Sequence, residues 1–237
     1  MQEMPNGTWN ENNYSVHTIT GPPDRRIKGE SVRDRKASGQ PLIEQIDMEA
    51  IEDFCRRIYY RDPYVAMHAE HVADLMAGLA SQLGMDSDEI SLAYMVGIMH
   101  DVGKIKTPEA ILSKPGKLTP EEYDIMKRHP AEGADMLTTV AGVEPIVGIM
   151  RHHHERWDGT GYPDGLAGRD IPLFSRMLAV CDSFDAMTTH RCYRSPVAPG
   201  LSLAEIRRCA GSQFDPVIAE AFIEFVKERF GFQTDGE

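Results

Sequence analysis

The chain has 237 residues, of which 41% are hydrophobic, and carries 25 basic against 37 acidic side chains for a formal charge of −12. That is enough to bury a substantial core, in one domain with an appendage or in two small ones. The acidity argues against extended nucleic acid, whose binding rests on neutralising phosphates, and no apolar run approaches the roughly 18 residues of a membrane span or forms a secretory signal.

A soluble, cytoplasmic protein is therefore expected. Any anionic ligand must be drawn in by a local positive feature such as metal ions. Residues 1–40 hold five acidic and six basic side chains, so the remainder carries −13. They are rich in Asn, Gly, Pro, Arg and Asp without sustained periodicity, and read as a flexible tail. Residues 41–237 form the folded domain.

From about residue 42 the pattern is helical nearly throughout, and the predicted class is all-α. Val65, His68, Val72, Leu75, Met76, Leu79 and Leu83 mark one helix face at spacings of three and four. Val217, Ile218, Ala221, Phe222, Phe225 and Val226 mark another. Helix starts are signed by Asp62-Pro63, Thr107-Pro108, Thr119-Pro120 and Asp215-Pro216, since proline is pre-set for the first helical position. Thr119 with Glu122 adds a capping box. Residues 157–172 break the pattern with Gly159, Gly161, Gly165, Gly168, Pro163 and Pro172, a long loop of the kind that is often functional. Cys55, Cys181, Cys192 and Cys209 form no CxxC pair and make no disulfide framework; Cys55 and Cys209 fit as small buried residues.

The chemistry-bearing residues stand at apolar borders. His100-Asp101 follows the apolar segment 90–99, and a helix-terminal polar pair is the bland reading. Its sequel favours another one: Gly103 permits a tight turn, and Lys104 then lies within reach of anything bound at the pair, which suits a phosphate. His68 lies in register with Val65 and Val72, where a satisfied buried histidine is the alternative. His71 lies just off that face and is taken as structural. His129-Pro130 opens a helix, where capping is equally open, and His153-His154 close a helix from about Val143. Asp182 lies among apolar neighbours in the stretch that also holds Asp185, and needs a partner if buried.

Five histidines and two aspartates, without thiolate, suit first-row transition metals such as Fe, Mn or Zn. Seven ligands are too many for one ion with open positions and about right for two. Two ions roughly 3.5–4 Å apart clamp a phosphoryl centre and supply hydroxide at neutral pH.

In order along the chain stand Asp62-Pro63-Tyr64 before His68, HDVGK at 100–104, KPGKLTPEEYDIMKRHPAEG at 114–133, HHERWDGTGYP at 153–163, CDSFDAMTTHRCYR at 181–194 and GSQFDP at 211–216. This series resembles the HD-GYP family, a branch of the HD phosphohydrolase superfamily, over residues 42–228. The resemblance implies a helical bundle that hydrolyses cyclic di-GMP to pGpG, GMP or both, by attack of a metal-bridging hydroxide. It carries metal roles onto His68, His100, Asp101, His129, His153, His154 and Asp182, with Asp101 as the bridge. Lys104 would contact the scissile phosphate as a catalytic and substrate-binding residue. Tyr162 of the Gly-Tyr-Pro motif, Arg191 and Arg194 would face the substrate.

Two departures stand out. Tyr64 occupies a position where some members have a glutamate that helps to hold a third metal, so two divalent ions are expected, Fe or Mn first. Cys192 replaces the usual proline between Arg191 and Tyr193, which loosens how the two arginines are posed. Forty residues are too few for a preceding sensor or receiver domain. Two other functions compete: hydrolysis of another nucleotide such as cyclic GMP-AMP, and a scaffold whose Gly-Tyr-Pro loop docks a GGDEF-type cyclic di-GMP synthase or an adaptor. A homodimer is compatible with the sequence.

Overall fold

The computed structural model describes residues 46–61, 63–189 and 195–231. The expected tail, together with Arg191, Cys192 and Arg194, lies outside the described residues, as does the side chain of Tyr64.

Among the described residues there are ten α-helices and no β-strand. In chain order they are α1 (Met48–Arg61), α2 (Pro63–Gln82), α3 (Ser87–Met99), α4 (Glu109–Leu112), α5 (Pro120–Met126), α6 (His129–Leu137), α7 (Glu144–Arg151), α8 (Leu173–Thr188), α9 (Pro199–Arg208) and α10 (Pro216–Phe230). A 3-10 turn, Val102–Lys106, follows α3, and another, Gly168–Asp170, interrupts the long connection from α7 to α8. The all-α expectation holds, and no helix is long and apolar enough to cross a membrane.

The predicted face of α2 is buried from Val65 and His68 to Leu79, and Leu83 just beyond the helix is buried with it. α3 lies so close to it that a Cβ at Gly97 would stand 2.4 Å from the Ala73 Cα. On α10 the buried face is Ile218, Ala219, Phe222, Ile223, Phe225 and Val226. Phe222 packs edge-on against Phe184 of α8, with ring centroids 5.3 Å apart. Each such side chain, taken fully out of water, contributes about 1.5–3 kcal/mol. Arg176 of α8 and Asp215 form a buried ion pair at 2.7 Å, and Asp215 also accepts from the Val217 and Ile218 amides that open α10. One carboxylate thus caps one helix and ties it to another.

The Thr119–Glu122 capping box forms as expected. Three expectations need correction. Val217 is 57% exposed, because it lies in the first turn of α10 on the side away from the buried stripe, which starts at Ile218. Thr107 does not cap a helix: its N–H closes the 3-10 turn on the Lys104 carbonyl, and Pro108 takes the cap position of α4. Cys55 is buried, but Cys209 is only partly so, since it caps the end of α9 with its sulfur beside Glu205.

Candidate metal centre

Three helix junctions and two helix interiors converge on one place. His68 comes from α2 and Asp182 from α8. His100 and Asp101 follow α3, His129 is the first residue of α6, and His153 and His154 follow α7.

Three of the histidines use the same local device. His100 Nδ1 bonds the Gly97 carbonyl at 2.7 Å, His129 Nδ1 the Met126 carbonyl at 2.8 Å, and His153 Nδ1 the Met150 carbonyl at 2.6 Å. A carbonyl can only accept, so each Nδ1 carries the proton and donates. Each Nε2 is left as a bare lone pair turned inward, the tautomer a metal takes. His68 differs, with Nδ1 at 2.6 Å from Asp185 Oδ2 and Nε2 at 3.1 Å from Asp182 Oδ1.

The inward atoms form two clusters, His68 with His100 and Asp101, and His129 with His153 and His154; within each, the donor atoms lie within 4.8 Å of one another. Asp101 faces both, with Oδ2 at 3.3 Å from His100 Nε2 and Oδ1 at 3.4 Å from His129 Nε2. His129 Nε2 and His153 Nε2 stand 3.3 Å apart, and His100 Nε2 is buried without a hydrogen-bond partner. Two lone pairs facing each other in a buried site need a cation between them. The residues present therefore fit a metal.

The electrostatics agree. Burial pushes His129 down to about 3, against the raising effect of Asp101 and with Lys104 acting in the same direction as burial. Burial and the neighbouring histidines hold His153 well below its ordinary value, and burial lowers His154 as well. These imidazoles stay neutral and ready to ligate. Burial raises the Asp101 carboxyl, but its charged surroundings, Lys104 foremost, outweigh it and hold it well below the usual carboxylate range. Lys104 Nζ sits 2.5 Å from Asp101 Oδ2. On Asp182, bonds and charge from His68 overcome burial in the same way. Burial alone would lower His68, yet bonds to Asp182 and Asp185 raise it to about 9. A metal at its Nε2 would have to displace that proton, as metal binding generally does.

The structure thus brings together all seven sequence-predicted ligand candidates, with Lys104 beside them. Tyr162 lies at the edge, half-buried, its ring 5.0 Å from that of His154 and its N–H on the His154 carbonyl at 3.2 Å. Burial, Tyr123 and the Asp182 and Asp101 charges push its phenol up. The capping alternative for His129 fails, because Arg128 holds the cap position and the His129 side chain bonds a carbonyl, not an amide. Gly103 also needs a new reason. Its neighbourhood does turn, but what requires glycine is contact: a Cβ there would stand 1.9 Å from the His129 carbonyl oxygen.

Two residues with a structural hand in the site carried no assignment from sequence. Asp185 is buried and bonds both His68 and His71, the latter at 3.0 Å. The signal was matched spacing: His68 and His71 on α2, and Asp182 and Asp185 on α8, are both three apart, so each pair shares one face. Glu155 is the other, buried beside His154.

Residues 54–218 match the family model described as the HD domain. The chain belongs to the HD domain family. The HDVGK and Gly161-Tyr162-Pro163 segments and the relatives place it in the HD-GYP branch. This HD domain chain is 44% identical over 174 residues to a protein named cyclic di-GMP phosphodiesterase from Pseudomonas aeruginosa, covering 72% of this chain and 41% of that one. It is 40% identical over 138 residues to a 3'3'-cGAMP-specific phosphodiesterase of Vibrio cholerae, covering 58% of this chain and 32% of that one. The chain spans about half, or less, of the length of the curated relatives it matches. Among solved structures, an HDG"Y"P protein from Bdellovibrio bacteriovorus aligns with a TM-score of 0.56 at 20% identity, over 69% of this chain and 52% of that one. That likeness supports the HD domain fold.

Proposed function

We propose that this HD domain is a metal-dependent phosphodiesterase that hydrolyses cyclic di-GMP to linear pGpG, GMP or both. One observation carries the reading: Asp101 turns one carboxylate oxygen toward each of two buried donor clusters, with Lys104 on the same carboxylate. That arrangement suits two divalent ions, Fe or Mn first among first-row metals, held by His68, His100, His129, His153, His154 and Asp182 with Asp101 between them. Such a pair, when bound, supplies a nucleophilic hydroxide at neutral pH and Lewis-acid stabilisation of the phosphoryl oxygens.

The chain's own residues supply the rest. The backbone carbonyls of Gly97, Met126 and Met150 fix three imidazoles before any ligand arrives, so no reorganisation is needed at binding. Lys104 places a positive charge beside Asp101, where a phosphate would lie. Tyr162 offers a ring at the edge for the nucleotide, with Arg191 and Arg194 as further anion-binding groups.

Relatives named for two cyclic dinucleotides support a second reading, with cyclic GMP-AMP as substrate. The test is metal analysis of anaerobically purified protein together with product analysis on cyclic di-GMP, cyclic GMP-AMP and mononucleotides. About two metals per chain and turnover of cyclic di-GMP support the proposal. Asp101→Ala protein that kept its metals and full turnover would sink it. Reconstituted wild-type protein that turns over no nucleotide, yet binds a GGDEF-type synthase or an adaptor, would favour the scaffold instead. The proposed setting is the cytoplasm, with self-association as a homodimer read by mass photometry.

A further inference from the structure

The loop after His153-His154 is clipped on its inner side by one buried carboxylate. Glu155 is only 4% exposed, and its Oε1 accepts from the backbone N–H of Asp164 at 2.7 Å and of Gly165 at 3.0 Å. Between these points the chain leaves along Arg156 and returns through Gly161. The returning limb presses on the departing one: a Cβ at Gly161 would stand 2.3 Å from the Arg156 nitrogen and 2.5 Å from the Glu155 Cα. The Tyr162 N–H then reaches the His154 carbonyl at 3.2 Å. On the outer side, Arg151 grips the Asp164 carboxylate with two bonds of 2.7 and 2.8 Å, and His152 reaches it at 2.9 Å. Tyr162 is therefore pinned at its own amide and again two residues later. Its ring sits 5.0 Å from that of His154 at an interplanar angle of 32°.

We infer that Glu155 is a positioning residue, which fixes Tyr162 beside the metal-binding histidines and so sets affinity for the cyclic dinucleotide rather than the cleavage step. The inference rests on the proposed function and deepens it. Bonds from amides to a carboxylate are charge-assisted and stronger than neutral ones, and this pair acts on the backbone on the far side of Tyr162. A buried carboxylate is costly unless it is bonded, so its presence asks for a reason. All of the bonding to the loop falls on one oxygen. Oε2 is buried and has no hydrogen-bond partner, so an amide oxygen at the Oε1 position can take over the task. The clip's bonds end on backbone amides and on the His154 carbonyl and none reaches an inward Nε2, so cleavage is left to the histidines, Asp101 and Lys104.

Steady-state kinetics on two substrates separates these roles. Cyclic di-GMP uses the Tyr162 edge, whereas bis(p-nitrophenyl) phosphate is a small diester without a nucleobase to place there. In Glu155→Ala, KM for cyclic di-GMP rises about 10- to 100-fold, the scale of a misplaced binding group. The kcat/KM for the small diester stays within about twofold, and metal content is unchanged. Glu155→Gln keeps the acceptor and brings KM most of the way back; Glu155→Asp, one methylene short, does not. An unchanged KM in Glu155→Ala overturns the inference, as does an equal fall on both substrates, which would place Glu155 in the metal centre or the fold. If the wild-type protein cleaves the small diester but not cyclic di-GMP, the proposed function fails separately. The clip is then judged on whichever cyclic dinucleotide is turned over. Hydrogen exchange at the Asp164 and Gly165 amides also reports it, fast in Glu155→Ala and slow in Glu155→Gln.

Discussion

Adding one methyl group at Gly103 should disable the metal centre from outside it. A Cβ there would meet the His129 carbonyl oxygen at 1.9 Å, the Gly133 nitrogen at 2.6 Å and the His129 carbonyl carbon at 2.9 Å. All three are backbone atoms of α6 and cannot rotate away. Real Cβ contacts stay above 3.0 Å, so the 3-10 turn and α6 must separate by about 1 Å. Asp101 precedes that turn and His129 opens that helix, so the displacement falls between the two donor clusters. Overpacking of this kind costs about 1–3 kcal/mol of stability, and about 1 Å at a reacting centre costs on the order of 100-fold in rate. Urea denaturation, bound-metal analysis and turnover on bis(p-nitrophenyl) phosphate measure the three effects. Gly148→Ala is the control: it lies inside α7 with nothing within 4 Å of the added Cβ, and should gain up to about 1 kcal/mol from helix propensity. Gly103→Ala protein with wild-type stability, metal content and turnover would refute the packing argument.

Chelation should lower the melting temperature: a ligand at about 100-fold over its Kd adds about 2.7 kcal/mol, or roughly 5–10 °C for a chain of this size. Thermal scans with and without EDTA read this, and coincident curves would argue against a bound metal. In the chelated protein, stability should fall as pH drops below about 6.5, because His129, His153 and His154 resist protonation when folded but accept it when unfolded. His68, raised to about 9, works the other way, adding stability below about 6.5 that is lost as pH rises through 9, and is outnumbered on the acid side. Melting temperatures from pH 5 to 8 check the sign. Asp215→Ala leaves Arg176 buried without its carboxylate and uncaps α10, so a loss of about 3–5 kcal/mol is expected in urea titrations, against little for an exposed pair such as Arg207–Glu220. Asp185→Asn keeps the shape but weakens the hold on His68, and should lower metal affinity about 10- to 100-fold in competition with a chromogenic chelator.

That these seven side chains gather at one place was legible in the sequence because most of them sit in short motifs at the ends of apolar segments. The faces of α2 and α10 were legible because periodicity of three and four leaves few alternatives. What stayed hidden is tertiary. Gly103 reads as a turn residue until α6 is seen against it, and Thr107 reads as a cap until its amide is found closing the turn before it. Glu155 contacts residues nine and ten positions away across a glycine-rich loop, a pairing that no local pattern announces.

Asp185 has a sharper explanation. Gly97, Met126 and Met150 all lie in the last turn of a helix, where carbonyls lack intrahelical partners. A histidine just beyond such an end can donate Nδ1–H to one of them, so His100, His129 and His153 are oriented by backbone that would otherwise go unsatisfied. His68 has no such recourse, because it sits inside α2, where the preceding carbonyls are taken by the helix itself. Its Nδ1 needs an acceptor from another element, and Asp185 of α8 supplies it at 2.6 Å. For these four histidines, position relative to a helix end therefore decides which one requires a supporting carboxylate, and that is a property a sequence with correctly placed helix boundaries already contains.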